Sequence, residues 1–237
     1  MKKVLLIDSG SGGLNVLKEC VKVAPFCDFL LFCDDKNIPY GNKSNEELLK
    51  ITFENLKNIS SFFDFDIVIF ACNTLSSVCL TACREKYPNK IFIGTEPAIK
   101  PARKKYLPKD ILVLATQSTL RNSKVLKNFY GQTLAISTLA ADIDQNLDNL
   151  SVLKDKIAQR FSNIKCKAVV LGCTHYCAVE EYIKSGLKSK VEFFDGRFGV
   201  ARRLKSFVID DSENFQVQIM TSKSQEFLVK LWSRYWS

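Results

Sequence analysis

Short apolar runs alternate with longer amphipathic stretches along almost the whole chain. The short runs predict strands at 3–8, 29–33, 66–71, 90–94, 110–115, 132–136, 167–171, 191–194 and 215–220. The stretches between them, at 13–23, 45–62, 74–87, 119–130 and 147–161, carry helical spacing. Strand–helix alternation of this kind argues for parallel α/β units. Runs such as Ile67-Val68-Ile69-Phe70 and Ala168-Val169-Val170-Leu171 are apolar throughout, as expected of parallel strands covered by helices on both faces.

The pattern has an internal echo. Val68-Ile69-Phe70-Ala71-Cys72-Asn73-Thr74 and Val169-Val170-Leu171-Gly172-Cys173-Thr174-His175 each end a buried strand in a small residue, a cysteine and hydrogen-bonding residues, and each precedes a helix. The expected architecture is α/β, with two similar Rossmann-like lobes, mainly parallel sheets and the active site in the cleft between them. The first lobe is placed at 1–96 and completed by 207–237, where the last strand and helix return to it. The second lobe is placed at 97–206. No Gly/Ser linker separates them, so close packing of the lobes is expected.

Composition removes several classes. With 46% hydrophobic and 25% charged residues in 237 positions, neither long disorder nor a collagen-like chain fits. No apolar run approaches the roughly 20 residues that a membrane-spanning helix needs. Asp8 and the glycines after it interrupt any signal-peptide core, so a cytoplasmic protein is expected. Nine cysteines, an odd number without a secretion signal, read as reduced thiols. The excess of 34 Lys+Arg over 25 Asp+Glu is spread out, and its densest run, 100–109, reads as a solvated face. Without a recognisable module, nucleic acid is not an expected partner.

Four segments could carry chemistry. Asp8-Ser9-Gly10-Ser11-Gly12-Gly13 follows the first strand and opens a helix, where glycines allow a sharp turn and backbone N–H groups face an anion. Asn15 breaks the dinucleotide fingerprint and no Gly-Lys-Ser/Thr follows, so the plain alternative is a tight turn capped by Ser9 or Ser11. Asp34 to Gly41, containing Pro39-Tyr40-Gly41, reads by itself as a polar loop. Cys72 and Cys173 are the third and fourth. A thiol between a strand end and a helix start is expected to have a lowered pKa. Cys20, Cys27, Cys33, Cys79, Cys83 and Cys166 read as small buried hydrophobes. Zinc is the rival for Cys79, Cys83, Cys173, Cys177 and His175, but no C-x2-C pair occurs and no metal is expected. His175, the single histidine, stands two residues beyond Cys173, where an imidazole can hold or relay a proton near neutral pH.

Taken together these segments resemble the aspartate/glutamate racemase superfamily, and most closely bacterial glutamate racemase. The resemblance rests on Asp8-Ser9-Gly10-x-Gly12-Gly13-Leu14, Pro39-Tyr40-Gly41, Ala71-Cys72-Asn73-Thr74, Glu96-Pro97-Ala98, Ala115-Thr116-x-x-Thr119 and Leu171-Gly172-Cys173-Thr174-His175-Tyr176. It implies a racemase that interconverts L- and D-glutamate without pyridoxal phosphate, metal or other cofactor and supplies D-glutamate for peptidoglycan. It also implies that Cys72 and Cys173 are the catalytic thiols, that Asp8 and His175 assist them, and that Ser9, Tyr40, Gly41, Asn73, Thr74, Thr119 and Thr174 bind substrate. A homodimer is compatible with the family.

The chain departs from the family at three places. Family members usually carry a Cys-Pro segment that ends in a glutamate, whereas the stretch from Ile136 to Gln145 lacks the Cys-Pro and its acidic residue is Asp142 or Asp144. Cys177 stands where Pro usually follows Tyr176. Asp195-Gly196-Arg197-Phe198-Gly199 is also unusual. Another amino-acid racemase, such as one for aspartate, and a binder without turnover are the alternatives.

Overall fold

A computed structural model describes residues 1–136, 138–187, 190–209 and 216–222. The first β–α units run β1 (Lys3–Asp8), α1 (Gly13–Val23), β2 (Asp28–Cys33), α2 (Asn45–Ser60), β3 (Ile67–Phe70), α3 (Asn73–Lys86) and β4 (Ile91–Gly94). Helix α4 (Ile99–Arg103) leads to β5 (Ile111–Ala115), α5 (Gln117–Asn122), β6 (Gln132–Ala135), α6 (Leu139–Gln145), α7 (Lys154–Phe161), β7 (Ala168–Gly172), α8 (Glu180–Leu187) and β8 (Glu192–Asp195). Helix α9 (Arg197–Lys205) and β9 (Val217–Thr221) complete the described elements.

The strands form two parallel sheets, ordered β4-β3-β1-β2-β9 and β6-β5-β7-β8. The two-lobed α/β architecture is therefore present. β9 returns to the first sheet beside β2, pairing Phe29 with Val217 and Cys33 with Thr221. The helix expected after it lies outside the described residues. Helix α9 packs against α1. The apolar core is continuous between the lobes: Leu14, Leu31 and Ile69 from the first share one cluster with Leu112, Leu171 and Tyr176 from the second. The central strands β1, β3, β5 and β7 are buried almost throughout, in keeping with their unbroken apolar runs.

Two expected helices are shorter than their periodicity predicts. The stretch 119–130 yields α5, which stops at Asn122, and then a 3-10 turn at Lys124–Leu126. Asn122 Nδ2 donates to the Ser118 carbonyl at 3.0 Å, and Ser123 is extended. The stretch 147–161 begins instead with a 3-10 turn at Leu150–Leu153, and α7 starts only at Lys154. Short polar side chains that bond to nearby backbone compete with helix continuation. Among the described residues no helix is long and apolar enough to cross a membrane.

Candidate active site

In parallel α/β sheets the C-terminal strand ends share one edge, where ligands bind. Here β1, β3, β5 and β7 deliver Asp8, Cys72, Thr116 and Cys173 to the junction of the lobes. Cys72 is extended and caps the start of α3 with its backbone. Cys173 is extended before the 3-10 turn Thr174–Val179. The two are only 6% and 7% exposed, and each sulfur lies within electrostatic reach of the other.

Each thiol has a different neighbourhood. Around Cys173, His175 Nδ1 lies 3.8 Å from Sγ, and His175 Nε2 lies 3.2 Å from Asp144 Oδ2. Burial by itself would lower the His175 pKa. The Asp144 carboxylate and the Cys173 sulfur outweigh burial and hold the imidazole well above its ordinary value. Around Cys72, burial and then the charge of Asp8 push the thiol up to about 12. The lowered pKa expected at a helix start is thus overturned for Cys72: desolvation exceeds the pull of the helix terminus. Asp8 is itself fully buried, and burial raises its carboxyl, against His175, the Gly10 N–H and the Thr174 hydroxyl. Thr174 Oγ1 donates to Asp8 Oδ2 at 3.0 Å, and Asn15 Nδ2 donates to the Thr174 carbonyl at 3.1 Å, so both contacts join the lobes.

The remaining residues marked out by sequence lie around this pair. Ser9 Oγ reaches Asp8 Oδ1 at 3.4 Å. Thr74 meets Thr116 and Thr119 hydroxyl to hydroxyl at 2.8 and 3.1 Å, again between the lobes. Gly41 lies so close to Thr116 that a Cβ there would be 2.9 Å from the threonine Cβ. Tyr40 donates its hydroxyl to Asp34 at 2.7 Å, and Asn37 and Asn55 also donate to that carboxylate. Asn73 Oδ1, at the start of α3, is a buried acceptor without a hydrogen-bond partner in the structure. No group of three or more potential metal ligands occurs among the described residues.

Sequence reasoning left Asp142 and Asp144 open. Asp144 faces His175 and Ser11, whereas Asp142 lies by Thr138 and Lys156. It also missed Asp34 as the acceptor that holds Tyr40, because the surrounding loop reads as ordinary. Ser11 reads from the sequence only as a cap. Neither Ser9 nor Ser11 caps α1: the N-cap residue is Gly12, with no side-chain cap. Glycine here supplies space, since none of the glycines has positive φ. A Cβ on Gly10 would collide with Asp144 Oδ2 and stand 2.9 Å from His175 Nε2. Gly10→Ala is therefore expected to lower turnover and to cost about 1–3 kcal/mol through overpacking. Thermal melting alongside steady-state kinetics checks this, and wild-type values in both would contradict so close an approach.

No family model matches the chain. Among curated proteins it is similar to a glutamate racemase of Clostridium botulinum type A, 35% identical over 247 residues, covering 97% of this chain and 95% of that protein. A glutamate racemase from the Loch Maree strain of C. botulinum is 39% identical over 215 residues, covering 86% of this chain and 82% of that protein. Among solved structures, glutamate racemase isoform RacE1 from Bacillus anthracis superposes with a TM-score of 0.86 at 25% identity, covering 99% of this chain and 93% of that one. The Escherichia coli glutamate racemase, solved with L-glutamate and the activator UDP-MurNAc-ala, gives 0.84 at 27% identity, covering 99% and 95%. With this identity sustained over nearly the full length of its relatives, the chain belongs to the glutamate racemase family.

Proposed function

We propose that the protein interconverts L- and D-glutamate, with Cys72 and Cys173 acting on opposite faces of the substrate α-carbon. The observation that carries this reading is the pair of buried cysteines at matching strand ends, in a chain of the glutamate racemase family, one beside Asp8 and the other beside His175. Inversion requires a proton to leave one face and another to arrive on the opposite face. One thiolate takes the α-proton, leaving its electron pair on carbon, and the opposite thiol gives its proton to that pair. The thiols thereby exchange protonation states, and the reverse reaction restores them.

The surroundings support these roles. Cys72, raised to about 12, is a protonated thiol near neutral pH in this arrangement and suits the donor role there. Asp8, whose proton affinity is raised, exchanges protons with Cys72, and His175 with Cys173. The unpartnered Asn73 Oδ1 accepts from the substrate ammonium, since a buried acceptor left unmatched is costly. On binding, Ser9, Thr74, Thr119 and Thr174 turn their hydroxyls from their present partners to the substrate carboxylates, while Tyr40, which gives its proton to Asp34, and the Gly41 backbone shape the site. Fixed donors at the start of α3 stabilise the charge that develops on removal of the α-proton. No cofactor enters this scheme.

The same proposal covers the lobe limits, 1–96 completed by 207–237, and 97–206. It also covers a cytoplasmic protein, a homodimer and a role in supplying D-glutamate for peptidoglycan. Chiral chromatography after incubation with L-glutamate, D-glutamate and L-aspartate in parallel tests the activity. Both glutamate enantiomers are expected to reach the same equal mixture and aspartate to remain L. Inversion of aspartate in place of glutamate would move the substrate assignment, and absence of inversion on glutamate would overturn the activity.

A further inference from the structure

We propose that Ser11 is a positioning residue that reaches across from the first lobe to hold Asp144, and through it orients His175 against Cys173. This rests on the racemase reading of the same site. The position is a variable one in the motif Asp8-Ser9-Gly10-x-Gly12-Gly13, so nothing in the resemblance assigns it a role.

The geometry is a single line of contacts. Ser11 is completely buried, and its Oγ donates to Asp144 Oδ1. Its backbone N–H lies 3.3 Å from both oxygens of the same carboxylate. Asp144 Oδ2 then receives His175 Nε2 at 3.2 Å, and the opposite ring nitrogen faces Cys173 Sγ at 3.8 Å. Oδ1 is thus held by the Ser11 hydroxyl and amide, and Oδ2 is shared between that amide and the imidazole. Fixing the hydrogen bond at one ring nitrogen sets what the other nitrogen offers its neighbour. Gly10 and Gly12 make room for this line, because a Cβ on Gly12 would stand 2.7 Å from His175 Nδ1.

The arrangement also accounts for a departure in the second lobe. The residue that meets His175 is an aspartate, one methylene shorter than the glutamate the family usually carries in this segment. Ser11 supplies a hydroxyl and an amide that hold this shorter side chain at the imidazole. The contact also ties the Cys173 half of the site to the loop that carries Asp8.

Because His175 is the only histidine, its ring resonances are unambiguous. The test combines Ser11→Ala and the near-isosteric Ser11→Cys with Asp144→Asn, read by kinetics and by nitrogen-15 NMR of the imidazole. Loss of a hydrogen bond to a charged group is expected to lower kcat about 10- to 100-fold in either Ser11 variant, with KM little changed. The Nε2–H resonance is expected to shift and exchange faster with water. In the Asp144→Asn background, Ser11→Ala is expected to add less than about twofold, because residues acting through one another are not additive. Wild-type kcat with unmoved imidazole signals in the Ser11 variants would overturn the proposal, as would full multiplication of the two effects. If wild-type protein fails to racemise glutamate, the activity reading falls, and the imidazole spectra alone decide whether Ser11 governs His175.

Discussion

Cys72→Ser and Cys173→Ser are each expected to reduce racemisation of glutamate by about 10²–10⁴-fold, the usual contribution of one acid–base group, while leaving the fold in place. Each substitution removes a group that acts as base in one direction of the reaction and as acid in the other. A serine hydroxyl is far more reluctant to ionise, so the base role fails first. Stability should change little. Cys173 lies beside His175 Nδ1, and the Leu75 N–H faces Cys72, so a hydroxyl at either position has a polar partner. L- and D-glutamate are mirror images and equal in free energy, so kcat/KM must fall equally in both directions, whereas kcat and KM taken singly are free to diverge. Full activity in either variant, measured on protein with an unchanged melting profile, would remove the two-thiol account. Cys79→Ser and Cys83→Ser, at buried positions further along α3 than Cys72, serve as controls for thiol loss.

His175→Asn is expected to have the second largest effect, lowering kcat about 10²-fold or more and destabilising the protein in a pH-dependent way. The imidazole is 1% exposed and paired with Asp144. Its folded pKa lies well above the unfolded value, so protonation favours the folded state. That stabilisation is complete below the ordinary histidine value of about 6.5 and disappears as pH rises through the folded pKa. The variant should therefore be less stable than wild type by about 1–3 kcal/mol near pH 6, and the gap should narrow in alkaline solution. Asp8, the other buried acid facing this ring, loses the downward pull of His175 in the variant and holds its proton more tightly there, which offsets part of this narrowing. Denaturant melts at pH 6 and pH 10 read the difference directly. A gap that is constant or widens with pH would show that His175 is not held protonated by its pair.

Much of this organisation is legible in the chain because parallel strands are written as unbroken apolar runs. β1 is bounded where the pattern places it, and β3 and β7 end where the matching Cys72 and Cys173 segments imply. Once the strands are known, strand-end chemistry converges by topology, which brings Asp8, Cys72, Thr116 and Cys173 together without any knowledge of side-chain packing. Less is legible where the outcome depends on tertiary placement. Asp142 and Asp144 stand two residues apart on α6 and therefore point to different faces of a helix, and only the packed structure decides which one meets His175. Ser11 belongs to a turn whose local chemistry suggests a cap, yet its partner lies in the other lobe. The proton affinity of Cys72 follows from burial, which a helix-start argument does not count. The shortened helices at 119–130 and 147–161 reflect Asn122, Ser123, Asn149 and Ser151 bonding locally or adopting extended backbone, a competition invisible to hydrophobic periodicity.

The central claim is that two thiols work from opposite faces, and early-time racemisation in D₂O tests it most directly. Protiated L-glutamate is incubated briefly, and residual substrate and newly formed D-glutamate are separated and examined for α-deuterium by proton NMR. A thiol carries a single exchangeable proton. Within one turnover, before exchange through Asp8 or His175, the thiolate that removes the substrate proton returns that same proton to the same face, while the opposite thiol delivers one already exchanged with solvent. The account predicts D-glutamate fully deuterated at the α-carbon while the remaining L-glutamate stays protiated, with the mirror result starting from D-glutamate. Substantial transfer of the original proton into the product, or equal early deuteration of substrate and product, would contradict it.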